Sequence, residues 1–341
     1  TNKIIIDSNG LNYQGEADSF IVEYTTSGQS LNIVYSDATK GWIPLDDDVA
    51  AFEPVAPPTQ KAIFAYGISS NLSNLVSSSG VVASDVTGVG TARRGTGAAS
   101  YGGDKAIFGY GDDGSTKVSM TNLISNLGVV ATDVSGVGTA RSAPGAAAYG
   151  GDKAIFGYGL AGSNTSVTNL VNNSGVVGTD VTGVGTARYY VAAAGYGEDK
   201  AIFGYGTTGS NVSMTNLVNT SGVVASDVSG VGTARQGLAA AAYGGDKAIF
   251  GYGSTGSFVS LTNLVNNSGV VAADVTGVGS ARVDLAASNY GGDKAIFGYG
   301  QSGSSLSLTN LVNNSGVVAA DVTGVGTARP DLGAATFSYS A

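Results

Sequence analysis

YGGDKAIFGYGSTGSFVSLTNLVNNSGVVAADVTGVGSAR, residues 243–282, is the stretch on which the reading of this chain turns. It is one copy of a unit repeated six times from Lys61 onward. The Lys of its AIF motif recurs at Lys61, Lys105, Lys153, Lys200, Lys247 and Lys294, at steps of 44, 48, 47, 47 and 47. The closing Arg recurs at Arg93, Arg141, Arg188, Arg235, Arg282 and Arg329. Units of this length fall in the range of propeller blades.

Working outward through the unit, every segment reads as strand. A small-residue run such as LAAAAYG (238–244) is a first strand, and a GGD turn leads to a second, KAIFGYG (247–253). A polar loop precedes a third, VSLTNLVN (259–266). The NSG turn, with Gly269 free to take positive φ, leads to a fourth, VVAADVTGV (270–278). No helical period is present, and Gly at this density would cost a helix about 1 kcal/mol per residue. The first unit opens at its second strand. The segment after Arg329, PDLGAATFSYSA, has the wording of a first strand. Pairing 334–341 with 61–67 is therefore expected to close a six-bladed ring of four-stranded blades and to leave no open edge between its ends. The alanine-rich first strands suit a crowded hub, and the larger Ile, Phe, Leu and Val side chains suit the widening space between blades.

Residues 1–45 do not belong to the repeat. Ile4-Ile5-Ile6, Phe20–Tyr24, Leu31–Tyr35 and Gly41-Trp42-Ile43 are short runs with the two-residue period of strands. They predict a small β module that buries too little surface to stand alone and is expected to self-associate, with a trimer favoured. Residues 46–60 contain Asp46-Asp47-Asp48, Pro54, Pro57 and Pro58 and read as an extended linker before the 61–341 array.

Composition excludes several functions. The formal charge is −9 with 12% charged residues, which argues against nucleic-acid and anionic-membrane partners. No apolar run is long enough to span a membrane, and no signal peptide is expected. His and Cys are both absent, which removes His-based nucleophilic catalysis and most zinc, copper and haem sites. No cofactor and no metal are expected. Glu occurs only at 16, 23, 53 and 198, none in an acid or nucleophile context, so no enzyme activity is expected.

The order Arg, small-residue strand, Gly turn, aromatic strand, then two further strands resembles the kelch type of propeller blade. Kelch blades carry a Gly-Gly pair after the second strand and a Trp near the fourth. Here Gly-Tyr-Gly stands instead, as at 109–111, and Trp42 is the sole Trp. The wording DKAIFGYG…TNLV…GVVA.DVTGVGTAR is similar to repeat arrays of bacteriophage structural and tail-fibre proteins. SGQSLNIVYSDATKGWIPL (27–45) is similar to strand-turn-GW modules of phage fibres. These resemblances imply an all-β, kelch-like six-bladed propeller with a small N-terminal β module that docks on other virion proteins at the particle surface.

Repeated motifs read as structure. Gly88-Val89-Gly90 and its five copies lack the helix and the GK[ST] of a phosphate loop and read as turns. The recurring Asp85, Asp133, Asp180, Asp227, Asp274 and Asp321 are expected to bond the recurring Arg within or between blades. Function is expected where copies differ: in the loop between the second and third strands, and after the Arg. Antiparallel connectivity puts both loops on one face of the disc. That face presents Tyr189, Tyr190, Phe258, Asp112, Asp113, Asp284 and Asp331. Aromatic rings beside carboxylates suit sugars, whose C–H faces stack and whose hydroxyls need acceptors. The expected function is a virion fibre or decoration whose head binds host-surface glycan. A polysaccharide depolymerase and a purely architectural fibre remain as alternatives.

Overall fold

The computed structural model describes residues 4–15, 22–24, 31–45 and 60–337. The expected linker, apart from Gln60, lies outside them, as do Phe20, Ile21 and residues 338–341. The chain divides into two compact units, Thr1–Pro58 and Thr59–Ala341. Both are all-β in their described residues.

In the first unit, β1 (Ile4–Ile6) pairs antiparallel with β2 (Val22–Tyr24), and β3 (Ile33–Asp37) with β4 (Gly41–Pro44). Asp37 makes the β3–β4 turn: its Oδ1 accepts the Thr39 and Lys40 amides at 2.8 and 2.7 Å. The core is Tyr13, Val22 and Tyr24, with Ile6, Leu31, Ile33 and Trp42 packed on it. Its two phenol oxygens bond each other at 2.6 Å, so neither buried hydroxyl is orphaned.

The second unit holds six three-stranded antiparallel sheets. In chain order the strands are β5 (Lys61–Ala65), β6 (Ser73–Val76), β7 (Gly97–Tyr101), β8 (Lys105–Gly109), β9 (Thr121–Ile124), β10 (Gly145–Tyr149), β11 (Lys153–Gly157) and β12 (Thr168–Val171). They continue with β13 (Ala192–Tyr196), β14 (Lys200–Gly204), β15 (Thr215–Val218), β16 (Ala239–Tyr243), β17 (Lys247–Gly251), β18 (Thr262–Val265), β19 (Ala286–Tyr290), β20 (Lys294–Gly298), β21 (Thr309–Val312) and β22 (Gly333–Phe337). Five sheets are consecutive triplets from β7-β8-β9 to β19-β20-β21; the sixth is β22-β5-β6. Its register runs from Gly333↔Ala65 to Phe337↔Lys61, so the strand after Arg329 pairs with the first strand of the array.

The sequence explains the layering. Each KAIFG centre strand is buried at every position but Lys, as a strand covered on both faces must be. First strands such as β10 alternate buried and half-buried, with small residues inward. Consecutive first strands pack side by side: β7 with β10, β10 with β13, β13 with β16, β16 with β19, β19 with β22, and β22 with β7. Between sheets, a Phe ring packs against the previous FG glycine. A Cβ on Gly109 would come within 2.8 Å of Phe156 Cζ. The first copy carries Ala65 at this position, and there the Tyr66–Phe108 centroids stand 5.5 Å apart, against 5.1 Å for Tyr110–Phe156.

The expected fourth strand is not a ladder strand. Its segment touches the third strand through isolated bridges, Val76↔Val82 and Ser73↔Val86 in the first copy. The two bridges are one residue out of step, as in a β-bulge, which breaks the ladder and re-aims a side chain. Within this stretch Asp85 accepts Asn74 Nδ2 at 2.9 Å. The outer valines of these segments, such as Val81 and Val270, stay exposed.

Candidate functional site

The repeated charges settle into the frame. Each unit's Arg is buried and stacks on the Tyr of a neighbouring sheet, as Arg235 does over the Tyr205 ring at 4.4 Å. Arg235 Nε donates to Tyr252 O at 2.8 Å, Nη1 to Thr233 O at 3.0 Å and Nη2 to Asn263 Oδ1 at 2.7 Å. The stacked Tyr sits at positive φ (62° at Tyr205), and its hydroxyl donates to Val231 O at 3.0 Å. Burial pushes Tyr66, Tyr110, Tyr158, Tyr252 and Tyr299 up to about 12, against the opposing pull of the Arg.

The recurring Asp clasps two sheets. Asp274 accepts Asn263 Nδ2 within its own sheet at 2.9 Å and the Thr233 amide and hydroxyl of the preceding copy at 3.0 and 2.6 Å. Burial raises its pKa, but these bonds and Arg235 outweigh it and the net shift is downward. The last clasp joins Thr327 to Asp85 across almost the whole array. GVG is part of the same joint: Gly232 has φ +76°, and a Cβ there would collide with Asp274 Oδ1. The motif is a sheet-to-sheet contact and not a ligand loop.

The variable loops come together. The residue after the Arg bridges to the start of the following polar loop: Arg94↔Asp112, Ser142↔Leu160, Tyr189↔Thr207, Gln236↔Ser254 and Val283↔Gln301. One residue further on, Gly95, Ala143, Tyr190, Gly237, Asp284 and Asp331 all lie in the left-handed region, with φ between 50° and 61°. Backbone bonds link them in series. Asp284 N donates to Gly237 O, Asp331 N to Asp284 O, Gly95 N to Asp331 O and Ala143 N to Gly95 O, all at 2.8 Å; Tyr190 N donates to Ala143 O at 3.2 Å. Four of these six are not glycine, at about 1 kcal/mol of strain each.

A cavity of about 100 Å³ is lined by this series and by Val191, Leu238, Leu285 and Leu332. Asp284 and Asp331 are both in it. Burial pushes Asp284 up, while Gln301 Nε2, donating to its Oδ2 at 2.8 Å, pulls the other way. Burial and the adjacent Asp284 push Asp331 up to about 7, against Arg94. A second depression, of about 280 Å³, adjoins it and shares Tyr190 and Asp331; Arg94, Asp112, Lys117, Leu160 and Tyr189 also line it. The Tyr189 and Tyr190 rings are 5.1 Å apart and inclined by 38°.

The structure thus gathers Tyr189, Tyr190, Asp112 and Asp331 around one depression and Asp284 beside it. Asp113 lies at a smaller recess with Asp112, Ile68 and Ser69. Phe258 stands apart, 42% exposed and lining neither cavity. Two carboxylates serve their own loop: Asp112 Oδ1 accepts Gly114 N, and Asp113 Oδ1 accepts Ser115 N and Thr116 N, each at 2.8 Å. Sequence reasoning missed Arg94 and Lys117. Their signal was available, because they are the two cations of residues 61–341 at no repeated position. Among the described residues no cluster of three or more carboxylates is placed to hold a metal ion.

No protein-family model matches the chain, and no curated protein matches it either.

Proposed function

We propose that the six sheets are the blades of a closed, kelch-like β-propeller, and that this propeller is the carbohydrate-binding head of a phage surface protein. Closure is supported by the succession of first strands, in which β22 neighbours both β19 and β7, and by the Thr327–Asp85 clasp. The single observation that carries the binding role is the convergence of the non-repeated Arg94, Lys117, Tyr189 and Tyr190 on one depression, while the recurring Arg and Asp are bound into the frame. A virion setting rests on the resemblance of the repeat and of residues 27–45 to phage fibre proteins. The N-terminal module then anchors the protein, as a fibre or decoration and in a homo-oligomer, to other virion proteins. Purified protein should compete with phage for adsorption to host cells, and Tyr189→Ala with Tyr190→Ala should abolish the competition. No competition by the wild-type protein would leave the architectural reading in its place, and undiminished competition by the double variant would move the binding surface away from the tyrosines.

One observation favours a second reading, glycoside hydrolysis: Asp284 and Asp331 are paired carboxyls in one cavity. Such enzymes hold one carboxyl protonated and the other ionised. Here, however, the cavity that holds the pair is only about 100 Å³, well below the usual size of a small-molecule site. Binding without cleavage is therefore the reading we adopt. Shortened chains after incubation with host capsule, lost in Asp331→Asn, would reverse that choice.

A further inference from the structure

We infer that the sugar taken by the 280 Å³ depression is acidic, a carboxylate-bearing uronic acid unit held by Arg94 and Lys117 and stacked on Tyr189 or Tyr190. The inference rests on the carbohydrate-binding reading above and names its substrate class.

The argument starts from the cations. In residues 61–341 six Arg are buried in the frame, and Lys105, Lys153, Lys200, Lys247 and Lys294 each pair with the adjacent Asp. Arg94 and Lys117 follow no repeat. They come from different loops, yet both line the one depression that also holds the tandem tyrosines. Arg94 keeps a half-exposed side chain and meets Asp112 at only 3.8 Å, longer than a charge-assisted hydrogen bond. Asp112 Oδ1 is meanwhile committed to Gly114 N. The guanidinium fork therefore has donors to spare for a planar carboxylate, which it matches in geometry.

Charge balance points the same way. The ionisable groups facing the depression are Arg94, Lys117, Asp112, Asp331, Tyr189 and Tyr190, with Asp284 behind Asp331. Asp331 is the group whose charge varies. With it protonated, two cations face one carboxylate, and the depression is net positive in a protein of net charge −9. With it ionised the depression is neutral. Its volume is near the lower end of small-molecule sites, the scale of a single ring. Tyrosine faces favour the C–H side of a sugar ring.

The test uses the full-length protein and a panel of glucuronate, galacturonate and mannuronate oligosaccharides, each beside its carboxyl-reduced neutral counterpart, measured by calorimetry. At least one acidic oligosaccharide should bind about tenfold or more tighter than its reduced form. Arg94→Gln and Lys117→Gln should each remove that preference, and the preference should shrink between pH 6 and pH 8. In Asp331→Asn it should persist at pH 8. Equal binding of acidic and reduced forms would overturn the acidic assignment and leave carbohydrate binding standing. Absence of binding by every member of the panel would overturn both. Circular dichroism checks that the surface variants fold, and the wild-type comparison alone already decides the preference.

Discussion

At the scale of the residue, each buried arginine ties several groups together. Arg235 satisfies a backbone carbonyl of one unit, a side-chain amide and its own loop while stacking on a tyrosine. Replacing it with Met keeps much of the volume but orphans those acceptors in the interior. Arg235→Met should destabilise by about 3–5 kcal/mol in chemical denaturation, whereas Arg94→Met on the loop surface should change stability by no more than about 0.5 kcal/mol. Gly232→Ala should also be strongly destabilising, since it adds a Cβ against Asp274 at a left-handed φ. These motifs were legible in the sequence as structural by their recurrence. Their partners were not, because Asp274 bonds a Thr 41 residues away in the preceding copy. No local spacing encodes that contact; it follows from how one sheet stacks on the next.

At the scale of the element, β22 matters most. It supplies the first strand of the sheet whose other strands are β5 and β6, and Phe337 packs over Gly128 and Leu75 in the same region. Removing residues 330–341 deletes Asp331 and leaves β5 with an unpaired edge and Phe64 and Ile63 uncovered on one side. The truncated chain should aggregate or elute as a mixture in size-exclusion chromatography, while the full chain elutes as one species. The pairing of these two segments was readable from their wording, and the β5–β22 register agrees with it. The fourth strand was misjudged. VVAADVTGV has the composition of a strand, but its Asp is drawn to the Asn of its own sheet and the Thr of another, and the ladder gives way to a bulge.

At the scale of the whole molecule, the titrating groups act in opposite directions. The six clasp carboxylates have folded pKa values below their ordinary value. Their contribution is present above about pH 4 and lost as pH falls through the folded values. Asp331 has a folded value of about 7 against 3.8. Its contribution is full below about pH 4 and is lost as pH rises to 7. The five tyrosines at about 12 repeat that sign at high pH, with stability falling from pH 10 upward. Thermal melts should therefore show a steep loss below pH 4, a further fall between pH 4 and 7, and an alkaline collapse. In Asp331→Asn the fall should shrink to the part that Asp284 contributes, and the two flanks remain. A wild-type melting temperature that is flat between pH 4 and 7 would contradict the Asp284–Asp331 coupling.

What the sequence determined by itself is whatever repeats or fails to repeat. The Lys and Arg periods set the number of units, the two-residue alternation and the turn glycines set the strands, and the points of divergence marked the loops. These are local properties, governed by backbone geometry and by which face of a strand is buried. What only the tertiary structure decided is which distant residues meet. It placed Asp284 beside Asp331, left Phe258 outside the cavities, and brought Arg94 and Lys117 to the tandem tyrosines. Those encounters depend on the rotation and spacing of one sheet against the next. Phe rings seated on glycines and the arginine stacks set them, and no segment carries that information alone.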